Sequence, residues 1–173
     1  MGQGGLMQVR EILYSDKELF INAMVQSKDF HYPFADAPKT EQAFDLYFEN
    51  SQNERQKCYL VFNDGDLIGV FNISEIVRGC FQSAYLGYYA NHEFAGKGLM
   101  GKGLNLVLEK IFLELNLHRI EANIQPTNTP SILLVQKNGF IKEGFSQRYL
   151  KINNQWCDHF RFALTYEDWL SNR

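Results

Sequence analysis

The stretch Tyr85–Leu115, YLGYYANHEFAGKGLMGKGLNLVLEKIFLEL, joins a short aromatic strand to a long amphipathic helix through a glycine-rich turn. Gly96, Gly98, Gly101 and Gly103 let the backbone come close to a ligand, and the N–H groups of a helix's first turn have no partner inside the helix. Together these make a phosphate-binding architecture. Leu104, Leu108, Ile111 and Leu115 recur at helical spacing, with Glu109 and Lys110 on the solvated side.

Two familiar motifs occur in the turn, and both fail on physical grounds. Gly96 to Gly101 spells GxGxxG, with Glu121 placed downstream as a ribose-binding acid would be. A dinucleotide fingerprint, however, begins directly off its strand, whereas Asn91 to Ala95 intervene here and antiparallel hairpins follow instead of a doubly wound sheet. Gly96 to Lys102 also spells GxxxxGK, but Gly103 stands where a P-loop needs a hydroxyl for Mg²⁺.

The 173 residues suffice for one domain with a proper core, and the whole chain is expected to be a single domain. A hydrophobic content of 45% excludes a disordered chain, while no window approaches the length of a membrane span, so no membrane contact is expected. A net charge of −3 and the lack of a Lys/Arg run argue against direct nucleic-acid binding. Cys58, Cys80 and Cys157 fit no metal-ligand spacing and read as reduced thiols of a cytoplasmic protein; no metal is expected. The leading MGQGGLM lacks a signal-peptide h-region, and Leu6 breaks the myristoylation pattern. Residues 1–7 are expected to be a disordered or added tail, with Met7 as the original start.

Outside the turn, Gln8 to Leu13 reads as a strand, and Ser15 with Glu18 as a capping box for a helix to about Ser27. Pro33 and Pro38 break the aromatic segment that follows, and a helix spans about Thr40 to Gln52. Alternation then predicts strands over Lys57–Asn63, Asp66–Val77 and Ala84–Ala90, the first two joined at Asp64-Gly65. After the long helix come a strand at His118–Ile124, parallel to the one before the turn, and a short helix stopped by Gly139. Strands at Phe145–Ile152 and Trp156–Thr165 meet at Asn153-Asn154. The fold class is α+β, with a mixed, mostly antiparallel sheet flanked by helices.

Ala95-Gly96-Lys97-Gly98-Leu99-Met100 resembles the acetyl-CoA phosphate loop of the GNAT N-acetyltransferases, Q/R-x-x-G-x-G/A, departing from it at Ala95 and Met100. The GKGLM variant, with IGVFNISEIVRGCF (Ile68–Phe81), YLGY (Tyr85–Tyr88), LHRIEAN (Leu117–Asn123), PTNTPS (Pro126–Ser131), NGFIKEGF (Asn138–Phe145), YLKINNQWCDH (Tyr149–His159) and ALTYEDW (Ala163–Trp169), resembles the RimJ/RimL-type ribosomal-protein N-terminal alanine acetyltransferases, the RimJ type more closely. The first sixty residues match less well.

The resemblance implies the GNAT fold and an acetyl-CoA-dependent N-acetyltransferase acting on the α-amine of a protein N-terminus, by direct attack in a ternary complex. It implies that the pyrophosphate sits on the N–H groups of Gly96 to Gly101, and that pantetheine lies along Tyr88, Tyr89 and Ala90. Asn128 and Ser131 match the family's N-x-x-S, in which asparagine holds the cofactor arm and serine stands near the sulfur. The glutamate that RimL-type relatives carry corresponds to Leu150, so the base is open. Glu121, Asp158 and, after them, His159 are the candidates, Asp158 pointing by alternation toward the interior or cleft and His159 away from it. An α-amine with pKa near 7.7–8.0 is roughly 10–15% neutral at pH 7, against roughly 0.04% for a lysine, so an α-amine needs only a weak base. Two other readings remain: an acetyltransferase for a small-molecule amine, such as a polyamine, and a non-catalytic acetyl-CoA-binding module. The protein is expected to be a monomer or homodimer.

Overall fold

The computed structural model describes residues 5–173, so the first four residues of the tail expected over residues 1–7 lie outside the described residues. Strands β1 (Met7–Glu11), β2 (Lys57–Asn63), β3 (Asp66–Val77), β4 (Ser83–Ala90), β5 (Arg119–Ile124), β6 (Ile141–Ile152) and β7 (Gln155–Thr165) form one sheet in the order β1-β2-β3-β4-β5-β7-β6. Only β4 and β5 run parallel; the other neighbours are antiparallel. The helices are α1 (Lys17–Gln26), α2 (Lys28–His31), α3 (Glu41–Ser51), α4 (Leu99–Glu109), α5 (Thr129–Lys137) and α6 (Tyr166–Ser171). Met7 already belongs to β1, because its register partner Asn63 extends the ladder that far. None of the helices among the described residues is long and apolar enough to cross a membrane.

Local chemistry explains the boundaries. Both hairpin turns sit where the sequence predicts: Asp64 and Gly65 have φ of 51° and 91°, and Asn153 and Asn154 have 48° and 64°, which is the pair of positive values that a two-residue turn needs. Thr40 caps α3 by accepting the Ala43 N–H at 3.2 Å. The capping box expected at Ser15 does not form. A 3₁₀ turn over Tyr14–Asp16 leads into α1 instead, and the buried Asp16 carboxylate accepts the Leu13 N–H at 2.7 Å and both terminal nitrogens of Arg10. That fork ties β1 to the helix and outcompetes the exposed serine. Helical backbone also continues past Ser27 through α2, and ends only where Pro33 forbids it.

The sheet is covered on both sides. On one face Val61, Phe71 and Ile73 pack against Leu104, Val107, Leu108 and Ile111 of α4. On the other, Leu60, Phe62 and Val70 pack against Phe20 and Met24 of α1 and Phe44 of α3. This double cover makes β2 an almost continuous buried run rather than an alternating one. After Glu109 the helix widens into a π turn, Lys110–Glu114, closed by Leu115 N–H to Lys110 C=O at 2.9 Å. The extra residue per turn rotates Leu115 off the apolar stripe, so it is only half-buried and Phe112 takes the core position. Helices α1 and α3 stop short of β5 and β7, and on that uncovered face lie Glu121, Asn123, His159 and Arg161.

Helix α4 approaches β2 so closely that a Cβ at Gly103 would lie 2.9 Å from Val61 Cγ1. Gly103→Ala should therefore lower unfolding stability by about 1–3 kcal/mol, even though alanine is the better helix former by about 1 kcal/mol. Denaturant titration of single and double variants should show Val61→Ala costing less in the Gly103→Ala background than in the parent. Strict additivity would mean that the two positions do not share this contact.

Candidate active site

Strands β4 and β5 pair at only three positions, Ser83 with Arg119, Ala84 with Ile120 and Tyr85 with Glu121. Beyond them β4 stays laddered to β3 as far as Ala90, and β5 stays laddered to β7 as far as Ile124. The sheet thus opens between Leu86–Ala90 and Ala122–Ile124, and a cavity of about 390 Å³ occupies the gap. One edge of β4 is left with backbone donors and acceptors that no strand satisfies, a ready partner for an extended ligand chain.

The glycine turn closes one end of this gap. Gly96 and Gly98 both have φ of 74°, and a Cβ on either would meet nothing within 4 Å, so the loop there is open to a ligand. The first intrahelical bond of α4 runs from Lys102 N–H to Gly98 C=O at 3.3 Å. The N–H groups of Leu99, Met100 and Gly101 therefore project from the helix end, where the dipole also favours an anion. Leu99 and Met100 turn their side chains into the core, so in this stretch only backbone faces the ligand side. Ala95, lacking the longer side chain of the phosphate-loop pattern, ends a 3₁₀ turn by donating its N–H to His92 C=O at 3.2 Å.

The entry to the turn is pinned by residues that sequence reasoning missed. Buried Asn91 donates Nδ2–H to Leu67 C=O at 2.9 Å and accepts the Glu93 N–H at 3.2 Å. Ser27 Oγ accepts the His92 N–H at 3.0 Å. His31 donates Nε2–H to Ala90 C=O at 2.7 Å; burial holds this imidazole below its ordinary pKa, against the opposing pull of that bond. The Ala90 carbonyl is thus already engaged, whereas Tyr88 and Tyr89 line the cavity. These contacts join α1 and α2 to a strand end some sixty residues away, so no local signal announces them.

Asn128 and Ser131 stand together at the start of α5, where Asn128 Oδ1 accepts the Ser131 N–H at 3.4 Å as an N-cap. The Tyr88 hydroxyl crosses the gap from β4 and hydrogen-bonds Ser131 Oγ. Burial pushes the Tyr88 phenol up to about 12, with the serine bond pulling the other way. All three residues line the cavity. Of the site residues named from sequence, these are the ones that the fold gathers around a common point, and the Tyr88 side chain is the member not foreseen.

The two carboxylates named from sequence stand elsewhere. Glu121 accepts a hydrogen bond from Arg119 Nε at 2.8 Å, and Arg119 also bridges to Glu143 on β6. Asp158 is exposed, and its carboxylate accepts the Arg148 N–H at 2.8 Å. The direction expected for Asp158 and His159 is reversed. Alternation does hold along β7, but the apolar layer under Phe160 and Phe162 ends before Asp158, while the opposite face at His159 is the cleft. His159 is only 3% exposed and lines the cavity beside Asn123 and Gln125, whose Oδ1 and Nε2 are buried with no hydrogen-bond partner among the described residues.

These features suit an acyl-CoA. The open glycine loop and helix end suit a pyrophosphate, the free edge of β4 suits a pantetheine amide chain, and Ser131 with Tyr88 offers hydroxyls to a sulfur. Comparison with known proteins agrees. A family profile described as Acetyltransferase (GNAT) domain matches residues 7–141. The Bacillus subtilis (strain 168) protein called "Probable N-acetyltransferase YjcK" is 33% identical over 97% of this chain and 98% of its own length. The "[Ribosomal protein uS5]-alanine N-acetyltransferase" of Escherichia coli (strain K12) is 41% identical over 64% of this chain and 57% of its own. The solved structure "Mycobacterium smegmatis RimJ in complex with CoA-disulfide" superposes with a TM-score of 0.87 at 25% identity, covering 94% of this chain and 83% of that one. By its sheet, its glycine turn and this match over most of its length, the chain belongs to the GNAT acetyltransferase family.

Proposed function

We propose that this acetyltransferase moves the acetyl group of acetyl-CoA to the α-amine of a protein N-terminus, with a ribosomal protein as the acceptor that the uS5-alanine relative suggests. The observation that carries this reading is the lining of the cleft. Its acceptor side is built of neutral polar and aromatic groups, Asn72, Ser74, Asn123, Gln125 and His159 among them, and among the described residues no Asp, Glu, Lys or Arg lines the cavity. A polyamine brings two or more cations, each of which would lose water there without a carboxylate in return. A peptide N-terminus brings one amine, already partly neutral at pH 7, and a backbone of donors and acceptors that unpartnered amides can meet. A cytoplasmic setting, in which Cys58, Cys80 and Cys157 remain free thiols, goes with this reading.

In this mechanism Gly96 to Gly101 hold the pyrophosphate with Lys97 beside it, Tyr88 and Tyr89 flank the pantetheine arm, and Asn128 fixes the start of α5. Attack is direct, within a ternary complex. The departing thiolate meets Ser131. A thiol of ordinary pKa near 8.5 is a far weaker base than a phenolate held near 12, so full proton transfer from Tyr88 would be uphill by about 3.5 pK units, roughly 5 kcal/mol. Tyr88 and Ser131 therefore act by hydrogen bonding: the tyrosine donates to Ser131 Oγ, which frees the serine proton for the sulfur.

A hydrogen bond to a charged group contributes about 1.5–3 kcal/mol, so Ser131→Ala should reduce kcat roughly 10- to 100-fold and leave acetyl-CoA affinity nearly unchanged. Tyr88→Phe should act in the same direction with a smaller loss. The double variant should lose no more than Ser131→Ala alone, because the pair works as a unit; multiplicative losses in steady-state kinetics would contradict the relay.

Acceptor choice is tested by incubating the protein with acetyl-CoA and a panel of peptides beginning with Ala or Ser, polyamines and free amino acids, with products located by mass spectrometry. Acetylation of the peptide α-amine is the expected result. Turnover of polyamines or amino acids with none of peptides would remove the N-terminal acceptor, and binding of acetyl-CoA without turnover of any amine would leave a cofactor-binding module.

A further inference from the structure

We propose that His159, through Nε2, takes the proton from the attacking amine; this rests on the reading that the cleft acetylates an α-amine. The ring lines the cavity from the uncovered face of β7, opposite the Tyr88–Ser131 pair that serves the sulfur. Its Nδ1 lies 2.9 Å from the Cys157 carbonyl, which can only accept, so the proton of the neutral ring is on Nδ1. Nε2 then presents a bare lone pair, and among the described residues no group hydrogen-bonds it. Asn123 Oδ1, a buried acceptor without a partner on the neighbouring strand, provides a second acceptor for the N–H groups of an incoming amine.

The charges around the ring favour this role. From β7 itself come Asp158, turned outward onto the Arg148 N–H, and Arg161, two residues on along the same face. From β6 comes Tyr149, its ring edge-on with centroids 6.3 Å apart, and Ser146 is the register partner. From β3, β4, β5 and the Phe34–Ala35 loop, no charged side chain lines the cavity. Burial dominates, and it holds the imidazole below its ordinary 6.5 despite the Cys157 bond and Asp158, so the ring is neutral at pH 7 and able to accept. Glu121 and Asp158 are both committed to other donors.

The step balances as follows. The amine nitrogen forms a bond to the thioester carbonyl carbon, the C–S bond breaks with its electron pair going to sulfur, and the nitrogen's proton passes to His159 Nε2. The imidazolium releases that proton to water, and the thiolate is reprotonated from water.

The test uses whichever amine the wild-type enzyme turns over. Absence of peptide turnover then counts against the N-terminal acceptor, and only the His159 readouts bear on the base. Because a lowered pKa leaves the base form present above it, wild-type kcat should be level near neutrality and fall through an acid limb whose midpoint lies below 6.5. His159→Gln should keep its melting temperature and its stabilisation by acetyl-CoA, and lose about 100-fold in kcat at pH 7. That loss should shrink toward tenfold or less by about pH 9, where the amine is deprotonated by solvent. Added imidazole should partly restore His159→Ala. A His159→Gln enzyme within threefold of wild type at pH 7 would overturn the proposal. Should both variants fail to fold, the wild-type profile decides alone: a kcat with no acid limb at any pH at which the protein stays folded would overturn it as well.

Discussion

Everything in this molecule's chemistry depends on two parallel strands parting after three residues. β4 and β5 begin as an ordinary parallel pair and then follow different neighbours, one held to β3 and the other to β7. Buried backbone amides left without partners are costly, by about 1–3 kcal/mol each, so an open edge in the middle of a sheet persists only with rigid support on both sides. That support is visible. α4 presses on β2 at Gly103, Asn91 locks the end of β4 to the start of β3, and Arg119 ties β5 to β6 through Glu143. Tyr88 reaches across the opening to Ser131 and braces it.

The same opening divides the labour of the site. One end is a helix N-terminus with open glycines, which can meet a highly charged group using backbone dipoles alone. The middle carries the hydrogen-bonded hydroxyls of Tyr88 and Ser131. The far side carries neutral polar atoms and an imidazole that burial keeps neutral. In the mechanism proposed, cofactor and acceptor approach from opposite sides of the sheet plane, and Glu121 and Asp158 are engaged outside the cleft.

Much of this fold was legible from local chemistry. The strand–turn–helix of Tyr85–Leu115, both hairpin turns and the parallel pairing across the long helix all follow from patterns within some thirty residues. The π turn at Lys110–Glu114 carries no such pattern. The Ser15 cap failed because Asp16, one residue on, meets Arg10 from another element. In the site, Asn128 and Ser131 were readable as a helix cap and its neighbour. His159 was readable as one candidate base but its direction was not, since alternation assigns a residue to a face but cannot say whether that face ends in core, solvent or cleft. Asp158 was overvalued for the same reason. The Tyr88 side chain joins a residue 43 positions away, a contact that only the splayed sheet creates.

The free edge of β4 and the amides at the start of α4 are the groups proposed to grip the coenzyme. Amide hydrogen exchange with and without CoA measures them individually. Protection should rise at Tyr88 and Ala90, whose N–H groups face away from β3, and at Leu99–Gly101, with little change in the β2–β3 ladder. CoA binding that leaves these amides exchanging at their original rates would mean that other groups hold the coenzyme.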